Sequence, residues 1–156
     1  RSVSHRVPRT IERARRARAS RLGARSHPAP GTGALFVNEF HDPVRRLTFH
    51  RPCGGGVEWR ETAADALARE FAEEFGLGLV IGPRLAVVEN IFTHAGRPGH
   101  EVLFLFSAQF ADPAAYLAER RDCLDQPGEY AVWRDPALGH ADLPLFPEGL
   151  AELLER

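Results

Sequence analysis

The 156-residue chain contains no lysine and no methionine, and it has only two cysteines. Two cysteines, Cys53 and Cys123, exclude a disulfide framework and predict reduced thiols in a cytoplasmic protein. The missing methionine predicts a processed or trimmed product, or a start that lies elsewhere. No apolar run approaches the roughly 20 residues of a membrane helix, so we expect a soluble protein without membrane contact.

Negative charge is scarce at the start of the chain. Nine of the 20 basic residues, all arginine, lie in residues 1–28, where Glu12 is the only acidic residue. The first 28 residues therefore carry +8, and the other 11 arginines against 20 acidic residues give −9. An acidic body that handles an anionic phosphate substrate needs a cation between the two, which is a first hint of metal dependence.

This composition divides the chain into an arginine-rich arm and linker, residues 1–33, and one domain, residues 34–156. Thr10 is a candidate cap for a short helix from residue 11 to residue 22. The arm best fits a solvated segment; an organellar targeting segment and a phosphate-contacting arm are the alternatives. No aromatic residues alternate with these arginines, so nucleic acid is not the expected partner.

Hydrophobic periodicity predicts several strands and helices in the domain. We expect strands at residues 34–40, 47–51, 77–92, 100–110 and 130–133, and helices at residues 62–75, 114–121 and from 147 onward. A break near residues 82–83 and a turn or loop at residues 93–99 interrupt this pattern. The strand at 100–110 is apolar on both faces, which indicates a central position. Strands mixed with helices favour an α/β or α+β sandwich.

The helix at residues 62–75 carries three carboxylates on one face. At about 100° per residue, Glu73 and Glu74 fall about 60° and about 40° to either side of Glu70. Like charges at this spacing repel, so Arg69 or a bound divalent cation should offset the repulsion. The stretch taken alone equally fits a solvated acidic face.

The surrounding residues are more specific than the helix alone. Residues 55–77 match every position of GX5EX7REUXEEXGU, where U is bulky aliphatic or aromatic. Average residue frequencies put a chance match at on the order of one in ten million or rarer per starting position. The segment resembles the Nudix box of the Nudix hydrolases, and the layout over residues 34–154 is also similar to that family.

The resemblance implies a Nudix-type α/β/α sandwich with a mixed sheet and a loop–helix–loop catalytic element. It implies Mg²⁺-dependent hydrolysis, with Mn²⁺ as an alternative, of a diphosphate bond in a nucleoside diphosphate linked to a group X. By position, it implies a set of metal ligands: Glu70, Glu73, Glu74 and a backbone carbonyl of the glycine loop, taken as Gly55. Glu70 is alternatively the base that orients water, Arg69 would hold the glutamates, and Glu61 would support that network.

Residues outside the box are weaker candidates. Glu101 is preferred over Glu129 and Glu89 as an additional acidic ligand, because it opens the long strand at 100–110. Arg51 and Arg97 are candidates for contacts with a substrate phosphate. The seven histidines form neither HxH nor HExxH, although His100 could border the pocket. Most aromatic residues are expected in the core, with one or two stacking on a base.

Other functions remain open at this point. A Nudix-like domain that only binds a nucleotide and regulates is the main alternative, but the complete box favours catalysis. An isoprenoid diphosphate isomerase would need an active-site cysteine in its own motif, which Cys53 lacks. The substrate and the oligomeric state are not determined by the sequence, and a homodimer is a further alternative because dimers are frequent among similar proteins.

Overall fold

The structure is a computed structural model that describes residues 34–134 and 143–154. The expectations for the arm, residues 1–33, lie outside these residues. Within the described part, six strands and two helices follow one another: β1 (Leu35–Asp42), β2 (Leu47–Pro52), α1 (Ala63–Phe75), β3 (Leu79–His94), β4 (Arg97–Phe110), β5 (Arg120–Asp122), β6 (Tyr130–Arg134) and α2 (Leu150–Leu154). Neither of these two helices is long and apolar enough to cross a membrane.

The strands form two sheets. The larger one has the order β2-β1-β6-β5 with antiparallel neighbours, and the long hairpin β3-β4 forms the other. A parallel bridge between His50 and Leu145 attaches the segment before α2 to the exposed edge of β2. The chain therefore folds as the expected α+β arrangement.

Two hydrophobic clusters place the helices on opposite faces of the strands. Phe36 of β1 packs in one cluster with Leu67, Phe71 and Phe75 of α1. Its neighbours on β1 point the other way and pack with Leu150 of α2 in the second cluster. Side chains alternate across a strand, so one apolar strand can bury both faces. The predicted α/β/α sandwich is confirmed.

Helix α1 has the bounds that its local signals predict. The Thr62 side chain caps the first turn by accepting the backbone N–H of Asp65 at 3.1 Å. Gly76 ends the helix in the left-handed region, at φ 64°, and donates its N–H to the carbonyl of Ala72 at 3.0 Å. A residue with a Cβ is strained in this conformation, so glycine suits this position.

The turn or loop expected at residues 93–99 is a turn, and it is shorter than expected. Strand β3 runs to residue 94 and β4 begins at residue 97, so that only Ala95 and Gly96 turn the chain. Both have left-handed backbones, at φ 49° and 75°, as tight two-residue hairpin turns require. The break expected near residues 82–83 is a shift in the β3-β4 register, which lets the strand continue past Gly82-Pro83.

Two helix predictions need correction. The segment 114–121 is a 3₁₀ helix only over Pro113–Leu117, because Arg120–Asp122 pairs with β6 as strand β5. The last helix begins at Leu150 instead of residue 147, since residues 147–149 form a turn with Gly149 at φ 78°. Strand pairing and turn geometry override the local helical pattern in both places.

A buried hydrogen-bond network lies behind the larger sheet. Arg134 donates to Nδ1 of His50 at 3.1 Å and to the carbonyl of Leu143 at 2.8 Å. An arginine only donates, so Nδ1 accepts and Nε2–H of His50 donates to Glu39 at 3.1 Å. Tyr130 donates its hydroxyl to the other oxygen of Glu39. These bonds hold the neutral form of His50.

This network makes stability depend on pH. Burial, supported by the charge of Arg134, lowers the pKa of His50 below its ordinary value of 6.5, although Glu39 opposes the change. The unfolded chain therefore binds more protons in acid, and the contribution of neutral His50 is lost as the pH falls through about 6.5. We expect a lower urea midpoint at pH 5.5 than at pH 7.5.

The matched variant is His50→Gln, which keeps one donor and one acceptor and does not titrate. We expect its urea midpoint to change less between the two pH values than the wild-type midpoint does. Equal changes in the two proteins would show that His50 is not the titrating group.

Candidate functional site

A cavity of about 790 Å³ opens between the larger sheet, strand β3, helix α1 and the loop that follows β2. One end, the glutamate end, is lined by Glu70, Glu74 and Gly54–Gly56. The other end, the aromatic end, is lined by Phe40, Phe49, Phe92, Phe146 and His94. The box residues thus occupy one end of a larger depression.

Helix α1 presents Glu70 and Glu74 to the cavity. Glu74 is buried, with 7% of its surface exposed, and it lies on the flank that α1 packs against the core. The side chain of Glu70 is 16% exposed, whereas that of Glu73 is 57% exposed and points to the outer side of α1. Burial of two carboxylates side by side is unfavourable unless cations or donors compensate for it.

Arg69 binds the box glutamates together. Its guanidinium donates to Glu61 at 2.8 and 3.0 Å, to Glu70 at 3.0 Å and to Glu73 at 3.0 Å. It also donates to the carbonyl of Gly56 at 2.9 Å. Hydrogen bonds with Glu61 first, and with the other two carboxylates, raise the pKa of Arg69 well above its usual value.

Glu61 is the outer support of this arrangement. Besides Arg69, it accepts the backbone N–H of Glu58 at 2.9 Å. These two donors, Arg69 first, lower the pKa of Glu61 below its ordinary value. The predicted supporting roles of Arg69 and Glu61 agree with these contacts, and their effect on activity stays a prediction.

Gly55 packs against the carboxylate of Glu70. A Cβ built on Gly55 would overlap both carboxylate oxygens of Glu70. Only glycine therefore permits the loop backbone to lie this close to the carboxylate. The first glycine of the box is explained by this contact.

The donor set at the glutamate end fits a hard divalent cation. Glu70, Glu74 and the carbonyls of the glycine loop line one end of the cavity, and all of them supply oxygen. In residues 34–134 and 143–154, no three His, Cys, Asp or Glu side chains stand close enough together to hold a metal ion. Glu73, a predicted ligand, binds Arg69, and its role as a ligand stays a prediction.

The other predicted ligand, Glu101, is buried in the middle of the molecule. Arg51 and the side-chain amide of Asn90 both donate to its Oε1, the amide at 2.9 Å. Arg51 lines the cavity, and its guanidinium lies 5.3 Å from the centre of the Phe92 ring; its contact with a substrate phosphate stays a prediction. Glu101 is absent from the described cavity wall, so its role as a ligand stays a prediction.

Some of the remaining candidate residues line the cavity and others do not. Glu129 and Glu89 line the cavity, and His100 contacts Glu89 with 2.8 Å between nitrogen and oxygen. Arg97 is exposed at the first residue of β4 and is not among the described residues that line the cavity. Because β4 begins at Arg97, this residue belongs to a strand and not to a loop beside the cavity.

The sequence motifs do not point to the β1 residues that form the floor of the cavity. Asn38, Phe40 and Asp42 follow one another on one face of β1, and the strand period of two is the signal that could have found them. Phe40 lies opposite Phe49 of β2, with ring centres 5.8 Å apart. Phe146 meets Phe49 at 5.5 Å.

Asp42 joins two turns at the far end of the cavity. It accepts backbone N–H groups of Val44 at 2.9 Å, Arg45 at 3.0 Å and Ala95 at 3.1 Å. These donors, Arg45 first, lower the pKa of Asp42 below its ordinary value. The tip of the β3-β4 hairpin is thereby fixed against the β1-β2 turn.

Comparison with known proteins identifies the family. A family model described as NUDIX domain matches residues 28–151. A MutT NUDIX hydrolase from Burkholderia pseudomallei is 20% identical, with a TM-score of 0.58 over 90% of this chain and 96% of that chain. The E. coli ORF135 protein is 20% identical, with a TM-score of 0.51 over 92% and 89%. These two likenesses show the fold.

The family model spans most of the chain and includes all of residues 55–77. The resemblance of those residues to the Nudix box is confirmed by this match. The chain belongs to the NUDIX domain family, the family of the Nudix hydrolases.

Proposed function

We propose that the chain hydrolyses a diphosphate bond in a nucleoside diphosphate linked to a group X, with Mg²⁺, or Mn²⁺, at the glutamate end of the cavity. One observation carries this proposal: Arg69 binds Glu61, Glu70 and Glu73 together and also binds the glycine loop at Gly56. A purely structural acidic helix would not need a glycine loop packed against one of its carboxylates. The arrangement suits a site that positions oxygen ligands beside a substrate.

The charge of the cavity supports a metal requirement. Only two arginines of the described chain line it, whereas six carboxylates do so: Asp42, Glu70, Glu74, Glu89, Glu129 and Glu148. A diphosphate would be repelled by this excess of negative charge. A divalent cation bound between carboxylate and phosphate converts the repulsion into attraction.

The residues have distinct tasks in the proposed reaction. Glu74 and a carbonyl of the glycine loop would hold the cation, and Glu73 would join them by leaving Arg69 and turning towards the cavity. The bound cation would supply charge neutralisation on the diphosphate and a lower pKa for bound water. Glu70 takes the proton of the attacking water, while Arg69 orients the Glu70 carboxylate through Oε1. The water oxygen bonds to phosphorus, and the bridging oxygen leaves with the other phosphate.

The aromatic end suits the nucleoside. Phe40, Phe49 and Phe146 are close enough together to offer a base the face or edge of an aromatic ring. Arg51 lies between this end and the glycine loop, since it is three residues before Gly54 on the chain. Its guanidinium, which Glu101 binds, would contact a phosphate oxygen of the substrate.

The two thiols support a reducing, cytoplasmic compartment. Cys53 and Cys123 are both buried, and no disulfide joins them. Burial, together with the hydrogen bond to Asp125, raises the pKa of Cys123 to about 12. A thiol held in its protonated form is a poor nucleophile, so Cys123 is unsuited to nucleophilic catalysis.

The first test is product release from a panel of nucleotides with Mg²⁺ and with EDTA. The panel contains nucleoside triphosphates, ADP-ribose, dinucleoside polyphosphates and nucleotide sugars. We expect turnover only with metal, and a loss on the order of 100-fold or more in kcat for Glu70→Gln, Glu73→Gln and Glu74→Gln, because each loses an anionic oxygen.

Glu119→Gln is the matched control, because Glu119 is exposed and is not among the residues that line the cavity. It should keep wild-type turnover. Nucleotide binding that persists in EDTA, without turnover of any panel member, would contradict the proposal and favour a regulatory nucleotide-binding domain.

A second test concerns Gly55→Ala. The added methyl group overlaps the Glu70 carboxylate, so one of them must move. We expect kcat to fall by about tenfold to 100-fold, because small displacements of a catalytic group cost this much. Steady-state kinetics on the best panel substrate would measure the change.

Gly78→Ala provides the comparison, because a Cβ there would meet only the Cβ of Ala111 at an ordinary 3.4 Å. Its kcat should equal that of the wild type. If Gly55→Ala also keeps its kcat, close packing of the loop on Glu70 is not required for turnover.

A further inference from the structure

Along β1, the residues that form the floor of the cavity differ in polarity from one pair of opposite residues to the next. Opposite residues on β1 and β2 point to the same face, and the register pairs Asn38 with Arg51, Phe40 with Phe49 and Asp42 with Leu47. Because residues i and i+2 of a strand lie about 7 Å apart, these pairs form successive rows. The Asn38 row is nearest the glycine loop, since β2 runs from Leu47 towards that loop.

Asn38 carries a hydrogen-bonding group that the fold does not use. Only 6% of its surface is exposed, yet it lines the cavity. Its Oδ1 is buried and has no hydrogen-bond partner. Buried polar atoms are almost always paired, so an orphaned acceptor beside a cavity points to a donor that a ligand brings.

The rows limit which part of a nucleotide meets Asn38. Phosphates at the glutamate end and a base over the Phe40 row leave the sugar between them, above the Asn38 row. Because Oδ1 is covered in this structure, the amide would turn towards the cavity to accept the proton of a sugar hydroxyl. We infer that the Asn38 amide binds a sugar hydroxyl of the substrate and selects the ribonucleotide over the deoxy counterpart that lacks this hydroxyl, an inference that rests on the proposed function.

A structural role for Asn38 is the competing explanation. An amide that stabilised the sheet would bond to a neighbouring strand or loop, as Asn90 does to Glu101 at 2.9 Å. Asn38 makes no such side-chain bond through Oδ1. An apolar side chain of similar size should therefore be tolerated at this position and fit the pleated surface at least as well.

The test uses Asn38→Leu, which keeps the size of the side chain and removes the amide. Turnover is measured for the best ribonucleotide and for its 2′-deoxy and 3′-deoxy counterparts. We expect the wild type to prefer the ribonucleotide to one deoxy counterpart by about tenfold or more in kcat/KM, because a site built to bind a hydroxyl rejects analogues that lack it. In Asn38→Leu, kcat/KM for the ribonucleotide should fall by about the same tenfold or more. For the disfavoured deoxy counterpart, kcat/KM should fall by less than about threefold.

Two controls separate binding from folding. Asn38→Asp retains an acceptor oxygen, so it should preserve the ribonucleotide preference even if the added charge lowers absolute rates. The Tm of Asn38→Leu should equal or exceed that of the wild type. A lower Tm with equal losses on all three nucleotides, or a wild type without ribonucleotide preference, would overturn the inference.

Failure of the proposed function gives a different result. If the wild type turns over none of the nucleotides, catalysis is absent, and the dissociation constants of the same three nucleotides decide the role of Asn38. A ribonucleotide preference in binding that Asn38→Leu abolishes would support the inference. Equal affinities would reject it.

Discussion

The fork of hydrogen bonds around Arg69 is the interaction on which the glutamate end depends. Three carboxylates crowd one turn of α1 and its approach, and like charges at this spacing repel one another. A planar guanidinium has five donors in fixed directions, and here it binds Glu61, Glu70, Glu73 and the carbonyl of Gly56. A lysine could neutralise charge but could not hold four groups in one plane. Helix and loop thus become one unit.

The second constraint is the buried pair between Arg51 and Glu101. It joins the larger sheet to the β3-β4 hairpin beside the cavity, with Asn90 as a third member. A buried ion pair is weak evidence for stability, because desolvation offsets much of its attraction. Removal of one partner nevertheless leaves an uncompensated charge, typically at a cost of about 3–5 kcal/mol. The pair therefore fixes how the two sheets meet, and with it the width of the cavity.

Local chemistry explains which parts of the fold could be predicted from the sequence. Thr62 and Gly76 bound α1 because caps act within a few residues of the chain. The box spacing placed Glu70, Glu74 and Gly55 at one end of a cavity for the same reason. Glu101 was harder, because its direction depends on Arg51, which is 50 residues away on another sheet. No pattern near Glu101 reports that contact.

At the turn of the β3-β4 hairpin, pairing between the two strands overrides what the local composition predicts. Residues 93–99 are rich in glycine and proline, and composition alone favours a loop. Pairing of Thr93 with Pro98 and of Phe92 with Gly99 continues the ladder nearly to the turn. Gly99 is needed there because a Cβ would overlap the Phe92 ring. A glycine that indicated a loop in fact lets an aromatic wall pack against the next strand.

The side chains at the glutamate end and at the aromatic end of the cavity can change independently of each other. The glutamate end is built from one continuous segment, whereas the aromatic end joins the β1-β2 turn, the β3-β4 turn and the segment before α2. Asp42 ties the first two together through backbone N–H groups, which do not depend on the side chains at Val44, Arg45 or Ala95. Side chains in those turns can vary without disturbing Arg69. Asn38 lies where the two ends meet, so a change there alters what is recognised while the reacting groups stay in place.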